Sequence, residues 1–333
     1  MPFLSYYSPM KANAFGSLAR CHRSWVLAIS VVSTLCALFS FAVNAHPASG
    51  IVVNPQGEVF FIHTGTGVDK IDAEGKLTCI HKVSGGGHFL ALDAKGRFST
   101  QLPRLFERIT TEGIKPALLY ASGGAPFVVN QDGNLYYGSG FPEGDDLTPG
   151  GLTLTRLSQD EKRTLFAPDL KRILADLNEA VTGLAVGPDG TLFVACPNAI
   201  LKVKTNGAVT TFVHPVEVKD CDDVFGKHPD SPFFHPPYLR GLDVTEEETV
   251  YAAVTGCRCV VKISRKGNVE TILKAEKPWT PTGVAVRDKN VFVLEYTHHD
   301  KAENWVPRVR KLWPDGKVTI LADLTGDDKK LER

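Results

Sequence analysis

The sequence carries no excess of charge of either sign. Lysine and arginine together number 37, aspartate and glutamate also number 37, and the formal net charge is zero. Proteins that bind nucleic acids usually present a clear excess of basic residues. The composition therefore gives no support for a nucleic-acid partner, and we expect a monomer that acts on a small molecule.

Cysteine is also scarce, with seven in 333 residues. This number is too low for a disulfide-dense scaffold. Five of them follow residue 45, namely Cys79, Cys196, Cys221, Cys257 and Cys259, and an odd number leaves at least one thiol unpaired within a monomer. We expect a disulfide from Cys221 to either Cys257 or Cys259, and the sequence leaves this choice open.

Only one long apolar run occurs, and it lies near the start of the chain. Residues 25–43 are predominantly apolar, follow a segment with basic but no acidic residues, and precede the small-residue site V-N-A. These are the three parts of a secretory signal peptide. We therefore predict a signal peptide over 1–45 and a secreted or periplasmic protein with no membrane attachment after cleavage. An uncleaved anchor is the alternative, because the run is close to the length that spans a bilayer.

Helical periodicity is found at one place, residues 168–180, where Leu170, Ile173, Leu174 and Leu177 recur at helical spacing. The remainder is dominated by a repeated pattern: one small or polar residue, an apolar strand, a four-residue turn that usually ends in Gly, and a second β-rich strand. Turns such as N-P-Q-G and G-P-D-G supply the left-handed position that a tight hairpin needs. The pattern occurs six times, starting at Ser49, His88, Ala125, Thr182, Arg240 and Thr282.

A second strand pair follows most of these hairpins, as in VDKIDAEGKLTCI and VRKLWPDGKVTILA. Each unit is then a four-stranded antiparallel meander, which cannot bury both of its faces alone. Stacking the units side by side buries them, and bending the array into a ring removes its ends. The sequence therefore predicts an all-β protein, a six-bladed β-propeller of four-stranded antiparallel blades over residues 46–333.

The residue that opens each inner strand should lie at the mouth of the central channel. We call these six residues the rim: Ser49, His88, Ala125, Thr182, Arg240 and Thr282. Four of them are small, whereas His88 and Arg240 are large and belong to the second and fifth blades, which are opposite in a ring of six. A charged pair at a channel mouth is a candidate functional site, although a surface or capping role is the ordinary alternative for such residues.

Other polar residues should lie on the same face of the propeller. Three long insertions, 138–152, 214–238 and 297–306, fall in connections on that face, and binding commonly uses such loops. His63 and Glu295 end second strands of the first and sixth blades, which become neighbours on closure. We expect these two side chains to approach each other, as a His and a carboxylate for general acid–base catalysis.

These considerations give a set of candidate site residues. The predicted catalytic residues are His88, Arg240, Glu295 and His299. The predicted substrate-binding residues are His63, Tyr137, Tyr296 and His235. Several of these are metal-ligand types, but none has the tight sequence spacing of a known metal motif. The cofactor is left unknown, with a divalent metal ion as an open alternative.

The segments SGIVVNPQGEVFF, TGLAVGPDGTLFVA and PTGVAVRDKNVFVLEY resemble those of a six-bladed superfamily that includes NHL-repeat proteins and the senescence-marker-protein/gluconolactonase family. The resemblance extends over residues 49–322. It implies hydrolysis of sugar lactones with a divalent metal held by Glu, Asn and Asp in E-G, N-G and D-G pairs. The corresponding pairs here are Ser49-Gly50, Thr182-Gly183, Arg240-Gly241 and Thr282-Gly283, and none carries a carboxylate or an amide.

The sequence thus supports two classes of function. The first is an exported, lactonase-like hydrolase that acts on a small sugar-derived or anionic substrate at the channel mouth, with a metal-dependent lyase of the same fold as its variant. The second is a non-catalytic NHL-type propeller that binds a ligand or a protein. The enzyme is favoured because His, Arg and Glu accumulate at positions near the mouth.

Overall fold

The computed structural model of the chain describes ten segments. They are residues 47–82, 87–93, 106–109, 117–121, 124–139, 152–158, 162–221, 224, 237–297 and 305–326. The predicted signal peptide lies outside these ranges. Within them, no helix has the length and apolar character needed to cross a membrane.

Three blades form the first half of the propeller. The first contains β1 (Ile51–Val53), β2 (Val59–His63), β3 (Gly67–Ile71) and β4 (Leu77–Lys82). The second contains β5 (Leu90–Asp93), β6 (Phe106–Ile109) and β7 (Ala117–Ala121). The third contains β8 (Phe127–Val129), β9 (Leu135–Ser139), β10 (Thr153–Leu157) and β11 (Arg163–Phe166).

A single α-helix, α1 (Leu170–Leu177), separates these from the other three blades within the described residues, as its spacing of leucines predicted. The fourth blade contains β12 (Gly183–Val186), β13 (Leu192–Ala195), β14 (Ile200–Val203) and β15 (Val209–Val213). The fifth contains β16 (Leu239–Val244), β17 (Val250–Val254), β18 (Cys259–Ile263) and β19 (Val269–Lys274), with a 3₁₀ turn over Thr255–Cys257. The sixth contains β20 (Trp279–Arg287), β21 (Asn290–Thr297), β22 (Pro307–Leu312) and β23 (Val318–Asp323).

All strand pairs between described residues are antiparallel, and five blades have the simple order of a meander, so the predicted six-bladed β-propeller is confirmed. The second blade departs from the prediction. Its inner strand β5 pairs with β7, and β7 pairs in turn with β6, which gives three strands in the described part. Every residue of β7 is buried, which suits the central position of this sheet better than an edge.

The predicted disulfide is also present. Cys221 is bonded to Cys257, with their Cα atoms 4.5 Å apart. The structure thus chooses between the two partners that the sequence left open, and Cys259 remains a buried thiol. The bond links the connection between the fourth and fifth blades to the fifth blade itself.

Glycines let the inner strands approach one another closely at the rim. A Cβ atom on Gly241 would lie 2.7 Å from Cα of Gly283 and 3.0 Å from the carbonyl oxygen of Thr282, both in the next blade. Gly183 and Gly283 stand in the same relation to the backbone of the blade that follows each of them. The rim can therefore be this narrow only because the second position of these inner strands has no side chain.

Substitution of Gly241 tests this packing. We expect Gly241→Ala to lower the free energy of unfolding by about 1–3 kcal/mol, the usual cost of forcing extra volume into a packed site. The measurement is urea denaturation followed by circular dichroism. Gly326→Ala is the matched control, because a Cβ there meets no atom within 4 Å. Equal effects of the two substitutions would show that the rim is not close-packed.

The ring closes between the first and sixth blades without a shared strand in the described residues. Each of these blades uses four consecutive strands from its own end of the chain. We call their contact the closing interface. It consists of apolar side chains such as Ile51 and Phe61 from the first blade, and Leu294 and Tyr296 from the sixth, in one buried cluster. Side-chain packing and side-chain hydrogen bonds therefore connect the two blades.

Candidate functional site at the rim

The rim brings the starts of several inner strands into contact. The carbonyl oxygen of His88 accepts hydrogen bonds from the backbone N–H groups of Ser49 (2.9 Å) and Gly50 (2.7 Å). The carbonyl oxygen of Ser49 would lie 3.3 Å from a Cβ on Gly241, the neighbour of Arg240. His88 and Arg240 therefore open inner strands at the same end of the channel.

The inner strands enclose a channel with a volume of about 240 Å³. Its wall is mostly aliphatic, with Val52, Leu92, Val128 and Val186 among its residues, and it contains one carboxylate, Asp243. Asp243 accepts hydrogen bonds from the backbone N–H groups of Val244 (2.8 Å) and of Val286 in the next blade (2.7 Å). Burial raises the pKa of Asp243 to about 6, against these hydrogen bonds, which lower it.

Arg240 is the cation of the rim. Its residue is partly exposed, and burial lowers the pKa of its guanidinium, whereas the phenols of Tyr238 and Tyr296 act in the opposite direction. No carboxylate in the described part of the chain forms an ion pair with it. Because an arginine stays protonated in proteins, the described residues leave the positive charge of Arg240 without a carboxylate counter-ion.

Tyr296 lies between Arg240 and the first blade. Its hydroxyl donates a hydrogen bond to the carbonyl oxygen of Ile62 (2.6 Å) and accepts from Oγ1 of Thr64 (3.1 Å). Burial raises the pKa of Tyr296 to about 12, so the phenol is neutral near pH 7. The hydroxyl that the sequence suggested for substrate binding is therefore engaged in closing the ring.

His63 pairs with a residue that the sequence analysis did not single out. Its Nδ1 lies 3.2 Å from Oδ2 of Asp69, whose side chain is fully buried, while the His63 side chain is 15% exposed. The imidazole thus has a carboxylate partner within its own blade.

The predicted approach of Glu295 to His63 is wrong in this structure, because of strand parity. On β21, Phe292, Leu294 and Tyr296 pack in the closing interface. Val291 and Val293 pack with residues of the fifth blade. Successive side chains of a strand point to opposite faces, so Glu295 shares the fifth-blade side with the two valines.

Two arginines of β22 neutralise the Glu295 carboxylate. Oε2 accepts from Nε of Arg308 at 2.5 Å, and Oε1 accepts from Nη2 of Arg310. Arg308 also donates to Glu276 (2.6 Å) and stacks on the ring of Trp279, 4.1 Å from its centroid. Glu295 is fully buried in this cluster. Its predicted catalytic role has no support from its surroundings, which are those of a structural ion cluster.

The two carboxylates of this cluster should differ in their effect on stability. We expect Glu295→Gln to lower the free energy of unfolding by about 3–5 kcal/mol, because it leaves two buried arginines short of counter-charge. Glu276→Gln is the matched control, with a side chain that is 61% exposed, and should cost at most about 1 kcal/mol. Chemical denaturation at pH 7.5 measures both values. Similar losses in the two variants would contradict this assignment of Glu295.

The remaining predicted residues are placed as follows. The ring of Tyr137 is buried with Phe127 and packs edge-on against Phe106, with centroids 5.6 Å apart, which makes it part of the apolar core. His88 is buried at the rim, as described above. His235 and His299 lie outside the described residues, and their roles stay predictions.

Glu179 is a further buried carboxyl that the sequence did not point to. It precedes the inner strand of the fourth blade, and its two oxygens accept from the backbone N–H of Asn198 at 3.0 and 3.3 Å. The Asn198 side chain in turn accepts from the N–H of Val216 (3.1 Å). Burial raises the pKa of Glu179 to about 7, against the hydrogen bond from Asn198, which lowers it.

This raised pKa makes stability depend on pH. Glu179 binds its proton more tightly in the folded than in the unfolded state, so its contribution to stability is present at low pH and is lost as pH rises towards about 7. We expect Glu179→Gln to gain stability over the wild type at pH 8 relative to pH 5, by roughly 2 kcal/mol at about 1.4 kcal/mol per pKa unit. Thermal and urea unfolding at both pH values measure this difference. Glu217→Gln, an exposed site nearby, should keep the wild-type pH dependence, and the same dependence in Glu179→Gln would refute the assignment.

Among the described residues, no group of three or more His, Cys, Asp or Glu side chains is placed to hold a metal ion. The pairs that open the inner strands contain no carboxylate, as noted above. The described rim therefore does not reproduce the ligand set that the resemblance implied.

No family model matches the sequence, and no curated protein matches it. The structure is similar to several solved structures. Virginiamycin B lyase from Staphylococcus aureus is 14% identical, with 84% of this chain and 85% of that chain covered and a TM-score of 0.47. A gluconolactonase from Xanthomonas campestris is 14% identical, with 75% and 84% covered and a TM-score of 0.48. The calcium-binding protein regucalcin from Agrobacterium tumefaciens is 15% identical, with 77% and 85% covered and a TM-score of 0.47. At these values the likeness carries no argument about activity, substrate or metal.

Proposed function

We propose that the protein is an exported, lactonase-like hydrolase that acts on a small anionic or sugar-derived molecule at the rim. The observation that carries this proposal is the position of Arg240. Its backbone opens an inner strand at the rim, where its carbonyl oxygen meets Gly183, and its guanidinium has no carboxylate partner in the described part of the chain. His88 on the opposite side of the rim and His299 keep their predicted catalytic roles within this proposal.

An unpaired arginine at a partly buried site favours an anionic ligand. Removing a cation from water is costly unless a counter-charge accompanies it. A bound carboxylate would supply that charge, and the planar guanidinium matches it with two parallel hydrogen bonds. A sugar acid combines this anionic group with hydroxyls that a polar rim can bind, and so does a lactone of a sugar diacid, which keeps one free carboxylate.

Export is supported by the disulfide as well as by the basic-apolar start of the chain. Cys221–Cys257 joins two elements of the mature region, and such bonds form and persist mainly in oxidising compartments. We propose a secreted or periplasmic location on these two grounds.

Calorimetric titration of sugar carboxylates into Arg240 variants tests the proposed site. Hydrogen bonds to charged groups contribute about 1.5–3 kcal/mol, so Arg240→Met should weaken carboxylate binding roughly tenfold to a hundredfold. Arg240→Lys should retain part of the affinity, because lysine keeps the positive charge but cannot form the two parallel hydrogen bonds of a guanidinium. Arg172→Met, on the exposed face of α1, is the control. Unchanged affinity in a folded Arg240→Met protein would refute the proposed anion site.

Turnover is tested separately on a panel of sugar lactones, with and without added divalent ions. Hydrolysis that is lost in Arg240→Met would support the enzyme. Carboxylate binding without turnover of any lactone would favour the non-catalytic binding protein, and elimination products would favour the lyase.

A further inference from the structure

We propose that His63 is the general base of the rim site and that Asp69 is its positioning residue. This inference deepens the hydrolase proposal and rests on it for the identity of the substrate. The sequence suggested His63 for substrate binding and, together with Glu295, for general acid–base catalysis; the structure supplies Asp69 in place of Glu295 as its carboxylate partner.

Strand register places the pair at the closing interface. Asp69 is paired with Phe61, and Phe61 with Ile51, so these side chains share one face of the first blade with His63, two residues from Phe61 on the same strand. Cγ2 of Ile51 would lie 3.0 Å from a Cβ on Gly283 in the sixth blade. The His63–Asp69 pair therefore faces the sixth blade, from which Tyr296 enters.

The contacts of Asp69 fix the state of the imidazole. A buried carboxylate accepts hydrogen bonds but cannot donate them, so Nδ1 of His63 carries the proton at the 3.2 Å contact. This leaves the Nε2 lone pair free to take a proton from another molecule. Asp69 makes no ion pair with a lysine or arginine in the described residues, so the imidazole is the cation that its charge can stabilise.

A nearby thiol does not compete for this role. Burial, and next the charge of Asp69, raise the pKa of Cys79. The thiol therefore stays protonated near neutral pH and is a poor nucleophile.

Tyr296 connects this pair to the anion site. Its hydroxyl contacts the carbonyl oxygen of Ile62 and, at 3.3 Å, the backbone N–H of Thr64, the two residues that flank His63. The charge of Arg240 acts to lower the pKa of the same phenol, against the larger effect of burial, so the guanidinium lies within electrostatic range of Tyr296. Two hydrogen bonds thus hold the backbone on either side of His63 to a residue within electrostatic range of Arg240.

The reaction balances with these groups alone. Nε2 of His63 takes a proton from water as the water oxygen bonds to the lactone carbonyl carbon. The ring C–O bond then breaks, and the imidazolium returns the proton to the leaving alkoxide. Asp69 keeps its contact with Nδ1 of His63, and Arg240 holds the second, free carboxylate that a lactone of a sugar diacid retains.

The first test needs no substrate and is read on the wild-type protein. Long-range ¹⁵N–¹H NMR of the wild-type protein at pH 8 should show His63 as the Nδ1–H tautomer, with its signals identified by their loss in His63→Gln. A neutral Nε2–H tautomer would overturn the proposal.

The second test measures the reactivity of Nε2 directly. Diethyl pyrocarbonate should carbethoxylate His63 in the wild-type protein, as read by peptide mass spectrometry. Asp69→Asn should slow this reaction several-fold, whereas Asp72→Asn, in the turn after β3, should not. An unreactive His63, or equal rates in the two variants, would overturn the proposal whatever the substrate is.

The third test separates the base from the anion site kinetically. General bases contribute about 10²–10⁴-fold, so Asp69→Asn should lower kcat on a responsive lactone at least about 100-fold with little change in KM, while Arg240→Met should mainly raise KM. If His63 passes the first two tests but the protein hydrolyses no lactone, the lactonase assignment is refuted. His63 is then supported as a general base for another substrate. Unchanged kcat in Asp69→Asn would refute the role of Asp69.

Discussion

The structure depends on how the first and sixth blades are joined. A ring of blades can be closed by one blade that combines strands from both ends of the chain. Here the first and the sixth blade each contain four consecutive strands, so no blade combines strands from both ends in the described residues. The connection in the described residues is a buried apolar cluster and the hydroxyl of Tyr296 on the backbone of Ile62 and Thr64. A single hydrogen bond contributes only about 1 kcal/mol to stability. Apolar burial therefore supplies most of the free energy that joins the two blades, and the Tyr296 hydroxyl aligns the sixth blade with the first.

This closure has a consequence for the site. Arg240 belongs to the fifth blade and His63 to the first. Tyr296 of the sixth blade hydrogen-bonds to the backbone beside His63 and lies within electrostatic range of Arg240. The relative placement of the anion anchor and the imidazole is therefore fixed by the same interface that closes the ring. Because the rim glycines bring the inner strands almost into backbone contact, there is little freedom for these groups to move apart without loosening the ring.

The sequence predicts the fold well because the repeat is local. Each turn places Gly or a small polar residue at a fixed distance from two apolar strands, as at Asn54, where Oδ1 accepts from the N–H groups of Gln56 and Glu58. The second blade was less predictable, since β5 pairs with β7, a strand separated from it along the chain. The residues of a turn indicate only how consecutive strands pair, so they could not reveal this pairing of non-consecutive strands.

The site was predicted less well. Which neighbouring blade a strand residue faces depends on the alternation of side chains along that strand, and the prediction considered only how close each residue lies to the rim. Glu295 and Tyr296 both end a second strand near the rim, yet they point to opposite neighbours. A shift of one residue changes the face completely, and the alternation in V-F-V-L-E-Y contained that information. Asp69 had a signal of its own: in G-V-D-K-I it occupies the same face of the strand as the buried Ile71, where an apolar residue is the rule.

Two fully buried carboxylates, Asp69 in the closing interface and Glu295 on the side of the sixth blade that faces the fifth, show why burial alone does not identify a catalytic group. Glu295 is held by Arg308 and Arg310. Because arginines do not release a proton in proteins, these ion pairs are permanent and Glu295 takes no part in proton transfer. Asp69 faces an imidazole, the one common side chain whose protonation changes near neutral pH. Burying a negative charge is costly in both places. For Glu295 the cost is offset by two permanently charged arginines, whereas the partner of Asp69 is an imidazole, which is positively charged only after it accepts a proton. Only the second arrangement makes the stabilisation of the buried charge depend on a proton-transfer step, and this difference directs the search for chemistry to the closing interface and away from the arginine cluster.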